Sequence, residues 1–518
     1  MIPAQRGTLA AAILGSSIVF LDSTIVNIAL PRIGAELPAT IIGTLEGQTY
    51  VASGYLATLA ALLVLAGALG DYHGRRRIFL VGLSGFGATS VLCGVAPTLE
   101  TLAAFRVLQG AAGAFLVPGS LAIITALFEG PARARAFGVW AAATSATTML
   151  GPPIGGILVE TLSWRAVFLI NIPLVAAAIW LTVRRMPETR DAGARGSFDW
   201  LGSAVAAAAI GGLSFGAIRG QEQRWTDPSA FVALGLGALA AVAFPVLMAR
   251  RPDPLVPLDL FRRRTFAVVN LSTLLIYGAL YSTFTFQGLF LQGTLAYSPL
   301  AAAIVGLPAG ILLSTVSARV GTLAGRHGVR RFLVAGPLLM AGGMLWWARV
   351  PADSTPWAAR IGDLSSLAPP ADVLVDVLPA IILFGVGISL VVAPLTTALM
   401  GSIPVGNAGL GSAINNAISR VGQPLLSAVV FIIVSGSFYA SLATAVPGLD
   451  PASPELRELV QPLNMPPPGT EPALVDAARV ASTDAFRLAS LGAAALLAAG
   501  AAVNWFGLRG SPSADGTR

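Results

Sequence analysis

Long apolar stretches alternate with short polar connections along the whole chain. A helix that crosses a hydrocarbon core of roughly 30 Å takes about 20 apolar residues, and each stretch is close to that length or longer. The stretches cover residues 9–30, 45–68, 78–96, 100–127, 136–160, 167–183, 200–218, 229–248, 266–290, 299–319, 332–349, 373–399, 407–436 and 484–507. The pattern predicts an all-α polytopic membrane protein with fourteen transmembrane helices.

The amino-acid composition supports a membrane protein and argues against other classes of protein. Of the 518 residues, 55% are hydrophobic and 11% are charged, whereas about 25% of the residues of a soluble protein are charged. A disordered chain is therefore excluded. The net charge of +7 rests on 32 basic residues, all of them arginine. Because these arginines lie between apolar stretches, they indicate orientation in a membrane and not a nucleic-acid partner.

The arginines divide unequally between alternate connections. If the N-terminus is cytoplasmic, 20 arginines lie on the cytoplasmic side and 8 lie outside. Cytoplasmic connections are enriched in Lys and Arg, so the bias predicts an even number of spans with both termini in the cytoplasm. The arginines counted on the cytoplasmic side include Arg195, Arg509 and Arg518, and those counted outside include Arg224.

An internal repeat indicates how the helices are organised. Residues 67–82 align without gaps to residues 321–336, and 7 of the 16 positions are identical, including His73/His327 and Gly74/Gly328. Eight predicted helices lie between the copies, whereas a duplicated six-helix unit would place six there. We therefore expect a six-helix bundle at 1–190, two inserted helices at 191–262 and a second six-helix bundle at 263–518.

A proline-rich segment interrupts the second bundle near residues 437–483. Its prolines disfavour a packed helix, so we expect an extracytoplasmic loop with a short amphipathic stretch that leads into the last span. A small substrate-capturing domain is the alternative.

Asp22 is the acidic residue closest to the middle of a span. A charged group inside a membrane is costly and usually functional. With a rise of 1.5 Å per residue, Asp22 lies roughly 10 Å from the outer face of the core, and Arg106 lies roughly 9 Å from the same face. Matching depths permit contact, so the pair is a candidate proton site. A fixed structural ion pair is the alternative.

Several motifs carry a family resemblance. The connection Gly67-x-Leu69-x-Asp71-x-x-Gly74-Arg75-Arg76 resembles the signature loop of the major facilitator superfamily. The segments LDSTIVNIALP at 21–31, RVLQGAAG at 106–113, GPPIGG at 151–156 and SWRAVFLINIP at 163–173 resemble its fourteen-helix drug:proton antiporter branch. Two departures stand out: Tyr50 replaces a frequent Trp, and Gly325 occupies the repeat position of Asp71.

The resemblance implies a fold and a set of roles. The fold is two six-helix bundles plus two inserted helices, and the mechanism is alternating access. Asp22 would be the proton-coupling carboxylate, with Arg106 adjusting its protonation. The gating loop would comprise Gly67, Asp71, Gly74, Arg75 and Arg76. The antiporter motif would be a seal or hinge formed by Gly151, Pro152, Gly155 and Gly156. Prolines weaken a helix, and glycines four apart allow close helix contact.

An amphipathic organic cation is best bound by aromatic faces and a carboxylate. Candidate residues for the substrate cavity are polar or aromatic side chains within the spans: Tyr55, Gln109, Tyr277, Tyr281, Gln287, Asn415 and Arg420. For each of them, packing in the core or against lipid is the alternative.

The sequence thus predicts a proton-coupled exporter of amphipathic, cationic drugs in a prokaryotic cytoplasmic membrane. The expected partners are protons, a small-molecule substrate and the lipid bilayer, and we expect a monomer without a nucleic-acid partner. One cysteine and two histidines offer neither an enzyme nor a metal site, and no cofactor is expected. An exporter of one endogenous metabolite, lipid or natural product is the alternative, and a membrane sensor or enzyme is less favoured.

Overall fold

The computed structural model describes residues 3–40, 44–190, 198–222, 225–360, 362–467 and 469–508. These residues form helices and connections, and they contain no strand beyond an isolated bridge between Arg360 and Asp363. The long helical segments among them are α1 Pro3–Glu36, α2 Thr44–His73, α3 Arg75–Gly94, α4 Leu99–Leu127, α5 Gly130–Thr161, α6 Ala166–Arg185, α7 Trp200–Glu222, α8 Pro228–Arg250, α9 Arg264–Thr294, α10 Pro299–His327, α11 Arg330–Trp347, α12 Val373–Gly401, α13 Ala408–Ala445 and α14 Pro472–Gly507.

Within the described ranges, twelve of these segments are long and apolar enough to cross a membrane. The other two, α5 and α11, are helical where spans are predicted but are less apolar: α5 contains many Gly, Pro, Ser and Thr residues, and the short α11 begins with Arg330 and Arg331. The predicted all-helical polytopic class is confirmed, and the number fourteen stays a prediction.

The last two helices are longer than their apolar stretches. Helix α13 continues to Ala445 and α14 begins at Pro472, so the prediction of a loop over 437–483 is wrong at both ends. The added first turns of α14 contain Asp476 and Arg479, and a search for apolar runs therefore places the start of this helix too late. The remaining connection contains one short helix, Pro454–Leu459.

The helices pack in two groups and a pair. Helices α1–α6 contact one another, as do α9–α14, while α7 and α8 pack against each other. The two groups meet where α2 contacts α13 and where α5 contacts α10, and α7 touches both α2 and α13. The division into bundles at 1–190, 191–262 and 263–518 stays a prediction, and its boundary at residue 191 falls outside the described residues.

The repeated motifs lie on helix ends, so the expectation of loops there is wrong. Helix α2 ends at His73 and α3 begins at Arg75, with Gly74 alone between them at φ 109°. Gly328, the repeat equivalent, has φ 83° between α10 and α11. This backbone region favours glycine because it lacks a Cβ. We call the end of the bundle that carries these two residues the Gly74 end.

Hydrogen bonds join the helix ends at the Gly74 end. Arg264 donates to the carbonyl oxygen of Gly507, and Arg330 donates to that of Trp505. The last described residues therefore lie at this end of the bundle. Thr8 of α1 donates to the carbonyl oxygen of Arg185, and Glu188 just beyond it accepts from the amide of Arg76, so the first described residues lie at this end as well. Which membrane face it meets stays a prediction, and Arg195, Arg224, Arg509 and Arg518 lie outside the described residues.

Candidate functional site: a buried ion pair and a helix-end clamp

Asp22 and Arg106 form an ion pair inside the first helix group. Arg106 Nη1 donates to Asp22 Oδ2 at 2.5 Å, and the two side chains are 2% and 0% exposed. Asp22 lies on α1 and Arg106 on α4, and their contact is the one that the sequence analysis permits. Because a carboxylate and a guanidinium lose their hydration when buried, each depends on the other for compensation.

Three polar side chains complete the environment of the carboxylate. Asp22 Oδ1 accepts hydrogen bonds from Gln109 Nε2 at 3.2 Å and from Asn171 Nδ2 at 3.1 Å. Both amides also donate to Ser90 Oγ, and all three side chains are completely buried. We call Asp22, Arg106, Gln109, Ser90 and Asn171 the Asp22 cluster. It draws on α1, α3, α4 and α6, and so lies within one helix group.

Arg106 has further contacts that do not involve Asp22. Its Nε donates to the carbonyl oxygen of Val51 at 3.0 Å, and Nη1 donates to Gln109 Oε1 at 2.7 Å. Its Cζ atom lies 4.0 Å from the centre of the Tyr55 ring, a cation–π distance. The guanidinium is therefore held by neutral groups on several sides.

The GPPIGG segment packs directly beside Asp22. A Cβ on Gly151 would overlap the side chain of Thr24, and a Cβ on Gly155 would lie 3.0 Å from the carbonyl oxygen of Ile25. The two glycines thus let α5 approach α1 two and three residues beyond Asp22. Pro152 is exposed and Gly156 has open space, while the helix continues through both prolines.

A second buried ion pair clamps the two helix groups together at the Gly74 end. Asp71 Oδ1 accepts from Arg75 Nη2 at 2.7 Å and from the amide of Gly409 at 3.1 Å, and Oδ2 accepts from the amide of Leu410 at 2.8 Å. Arg75 Nη2 donates to the carbonyl oxygen of Val405. We call these contacts the Asp71 clamp.

The clamp is built from ordinary helix-end chemistry. Free amides at the first turn of α13 and its positive dipole end attract the Asp71 carboxylate. Gly67 permits the approach, because a Cβ there would overlap the carbonyl oxygen of Gly409. In the second repeat copy, Gly321 of α10 similarly faces the carbonyl oxygen of Ala134 on α5. The two groups therefore make close contacts at the Gly74 end at both of their interfaces.

The sequence prediction misses Asn171 of the Asp22 cluster and Glu188, which lies beside the Asp71 clamp. Asn171 lies in the quoted segment 163–173, and its amide among apolar neighbours is a signal that could have identified it. Glu188 accepts hydrogen bonds from the amides of Arg76 and Arg77 at the start of α3. Its position in a connection after α6 gives no local signal of that partner.

The predicted cavity residues fall in several places. Tyr55 and Gln109 are fully buried in or against the Asp22 cluster. They do not line an open cavity in this conformation, and their role in binding substrate stays a prediction. Tyr277 and Tyr281 are neighbours on α9, with ring centres 6.0 Å apart. Gln287 of α9 is buried. Asn415 of α13 donates to Asn270 and Thr273. Arg420, also on α13, is partly buried and has no ion pair among the described residues.

Comparison with known proteins identifies the family of this chain. Residues 12–427 match the sequence model described as the Major Facilitator Superfamily. The chain belongs to the major facilitator superfamily. It is therefore a multi-pass membrane transporter and not an enzyme.

Curated relatives and solved structures agree with this assignment. The multidrug resistance protein Stp of Mycobacterium tuberculosis is 32% identical over 452 residues, which cover 87% of this chain and 79% of Stp. The puromycin resistance protein pur8 of Streptomyces alboniger is 32% identical over 447 residues, 85% of this chain and 84% of pur8. The crystal structure of the human organic anion transporter MFSD10 matches with a TM-score of 0.58 at 16% identity, covering 96% of this chain and 100% of that one; this likeness concerns the fold alone.

Replacement of Arg106 by Gln should destabilise the folded protein strongly. Breaking a buried pair leaves one group without compensation and costs about 3–5 kcal/mol. The double variant Asp22→Asn/Arg106→Gln, which removes both charges, should recover part of the loss. Thermal unfolding of the purified variants in detergent measures both effects. A double variant no more stable than Arg106→Gln would contradict the interpretation of this contact as a mutually compensating ion pair.

Proposed function

We propose that the protein is a proton-coupled exporter, an antiporter that moves amphipathic small organic compounds out of the cell by alternating access. The Asp22 cluster is the observation that carries this proposal. It contains one carboxylate on a helix that is long and apolar enough to cross a membrane, and a permanent charge inside a membrane is costly. A proton-coupled transporter needs such a group to be charged in one state and neutral in another.

The cluster contains partners for both forms of Asp22. When the carboxylate is charged, Arg106, Gln109 and Asn171 donate to it. When it is neutral, Arg106 keeps the carbonyl oxygen of Val51, Gln109 Oε1 and the Tyr55 ring. A protonated Asp22 also needs an acceptor. Asn171 Oδ1 is buried and has no hydrogen-bond partner among the described residues, so a turn of this amide supplies one.

The Asp71 clamp supports a gate at the Gly74 end. The arginine bias favours placing this end in the cytoplasm, and both contacts between the helix groups are close there. We infer that this conformation is closed to the cytoplasm and represents the outward-facing state. Protonation of Asp22 from outside would then favour release of the clamp, opening inward, loading of substrate and release of the proton to the cytoplasm.

The substrate class rests on the relatives. Stp is called a multidrug resistance protein, which supports export of many drugs, and a bacterial cytoplasmic membrane as the location. The puromycin resistance protein supports an exporter of a single natural product equally well. A cationic substrate remains our proposal, and the partly buried Arg420 argues that such a cation binds away from this residue on α13.

Asp22→Asn should separate proton coupling from transport itself. In proteoliposomes with an imposed pH gradient, the variant should lose substrate accumulation against a gradient, because residue 22 no longer exchanges a proton. It should retain substrate–substrate exchange, which needs no net proton movement. Accumulation at the wild-type rate would overturn the role of Asp22.

A matched control is Asp372→Asn. This carboxylate lies outside the spans and accepts hydrogen bonds from the amide and hydroxyl of Thr355, which lower the pKa of Asp372. The control should accumulate substrate as the wild type does. Failure of exchange by wild-type protein across a broad panel of drugs would instead contradict the proposed substrate class.

Asp71→Asn should shift the protein away from the state closed at the Gly74 end. The change removes the charge from a carboxylate that accepts backbone and guanidinium hydrogen bonds, and each such bond to a charged group is worth about 1.5–3 kcal/mol. The open fraction should rise at least about tenfold, which 1.4 kcal/mol suffices to produce. Spin labels at Arg77→Cys and Arg326→Cys, one in each helix group, measure the distance across this end.

The control variant is Asp227→Asn. Asp227 accepts from the amide of Ser229 at the start of α8 and pairs with Arg219 of α7 at 2.7 Å. Like Asp71, it therefore binds a helix amide and an arginine, but it does so between α7 and α8, which we call the inserted pair. Its substitution should leave the distance distribution unchanged. Equal shifts in both variants would mean that Asp71 supports stability in general and is not part of a gate.

A further inference from the structure

A cavity of about 540 Å³ lies between the inserted pair and the rest of the protein. Its walls come from α7 and α8 on one side and from α2, α9 and α13 on the other. The lining includes Ala209, Ala241, Phe261, Ala267, Asn270 and Ile418. The volume is in the range of about 300–1,000 Å³ that is typical of ligand pockets, and none of the predicted substrate-cavity residues lines it.

The walls are almost entirely apolar. Asn270 is the polar residue among the lining side chains, and its Nδ2 donates to the carbonyl oxygen of Phe266 while its Oδ1 accepts from Asn415. A cavity needs several free polar partners to hold ordered water, and this one offers few. Its occupant is therefore apolar.

The lining of the cavity is partly exposed at the surface of the described structure. Two of its lining residues, Phe261 and Leu271, are 40% and 49% exposed, and α8 presents exposed apolar side chains such as Leu239 and Val242 along its outer face. Membrane lipid is the apolar material that meets this surface. The neighbouring hydrocarbon chain can therefore enter from the side.

Positive charge borders the cavity at the Gly74 end. The segment from the last residue of α8 to the first residue of α9 contains five arginines and two acidic residues. The arginines are Arg250, Arg251, Arg262, Arg263 and Arg264, and the acidic residues are Asp253 and Asp259. Arg251 is paired with Asp199, and Arg264 donates to carbonyl oxygens of α14. Arg262 is 85% exposed and its partner Asp259 is 82% exposed, so this pair is weak.

We propose that the cavity binds one acyl chain of an anionic phospholipid, with the phosphate at Arg262 and Arg263. These arginines directly follow Phe261, which lines the cavity, so an acyl chain and its headgroup meet adjacent residues. Arginine suits phosphate because its planar donors match the oxygen atoms. The bound lipid would fill the space between the inserted helices and both helix groups, and this role goes beyond the proposed transport reaction.

The test counts bound lipid on the full-length protein. Wild type is reconstituted with equal amounts of phosphatidylglycerol and phosphatidylcholine, extracted in mild detergent and examined by native mass spectrometry. We expect one retained phosphatidylglycerol per chain. Arg262→Gln/Arg263→Gln should lower its retention at least about tenfold, the effect of losing roughly one charged hydrogen bond. The control Arg326→Gln/Arg331→Gln removes the same charge elsewhere at this end and should retain the lipid.

A second pair of variants tests the cavity itself. Ala241→Phe places a ring in the cavity from α8, whereas Ala243→Phe adds the same ring on a residue of α8 that does not line it. The first should lose the lipid and the second should keep it. Ala209→Leu fills the cavity from α7 and serves if Ala241→Phe does not fold, as judged by thermal unfolding.

Three results would overturn the proposal. One is wild-type protein without retained lipid; another is equal retention of both lipids. The third is unchanged retention in a folded cavity-filling variant. None of these readouts depends on transport, so failure of the proposed antiport would leave the lipid measurement interpretable.

Discussion

The buried contact between Asp22 and Arg106 is the interaction on which the functional account depends. Both groups are removed from water inside the first helix group, and a charged Asp22 without Arg106 would be strongly destabilising there. Gln109, Ser90 and Asn171 complete the hydrogen bonding, so four helices are drawn to one polar point. Among the described residues, Asp22 is the one acidic side chain that is fully buried near the middle of a span.

The Asp22 cluster lies within the first helix group, the Asp71 clamp joins that group to the second, and α2 contacts both sites. The carbonyl oxygen of Val51 on α2 accepts a hydrogen bond from Arg106, and Asp71 lies near the other end of the same helix. Helix α1 carries Asp22 and packs against the glycines of α5, which in turn contacts α10 of the second group. We propose that a change of charge at Asp22 reaches both contacts between the groups through α2 and α5.

Much of the fold follows from the apolar pattern, because spanning a bilayer demands continuous apolar helices. The pairing of Asp22 with Arg106 follows from depth along two helices. Other features depend on tertiary packing that no local pattern contains. Asn171 is visible locally as an amide among apolar residues, but its partner Asp22 is not. The first turn of α13 supplies the amides for Asp71, and Tyr55 faces Arg106. Polar ends of helices, as in α14, lie outside the membrane pattern altogether.

The most direct measurement is whether Asp22 takes up a proton in the folded protein. Infrared difference spectra between alkaline and acidic conditions report a protonated carboxyl group through its C=O stretch. We predict a band from a buried carboxylic acid in wild type that is absent from Asp22→Asn and present in Asp372→Asn. Identical spectra for wild type and Asp22→Asn would contradict the account and leave the contact with Arg106 as a fixed structural ion pair.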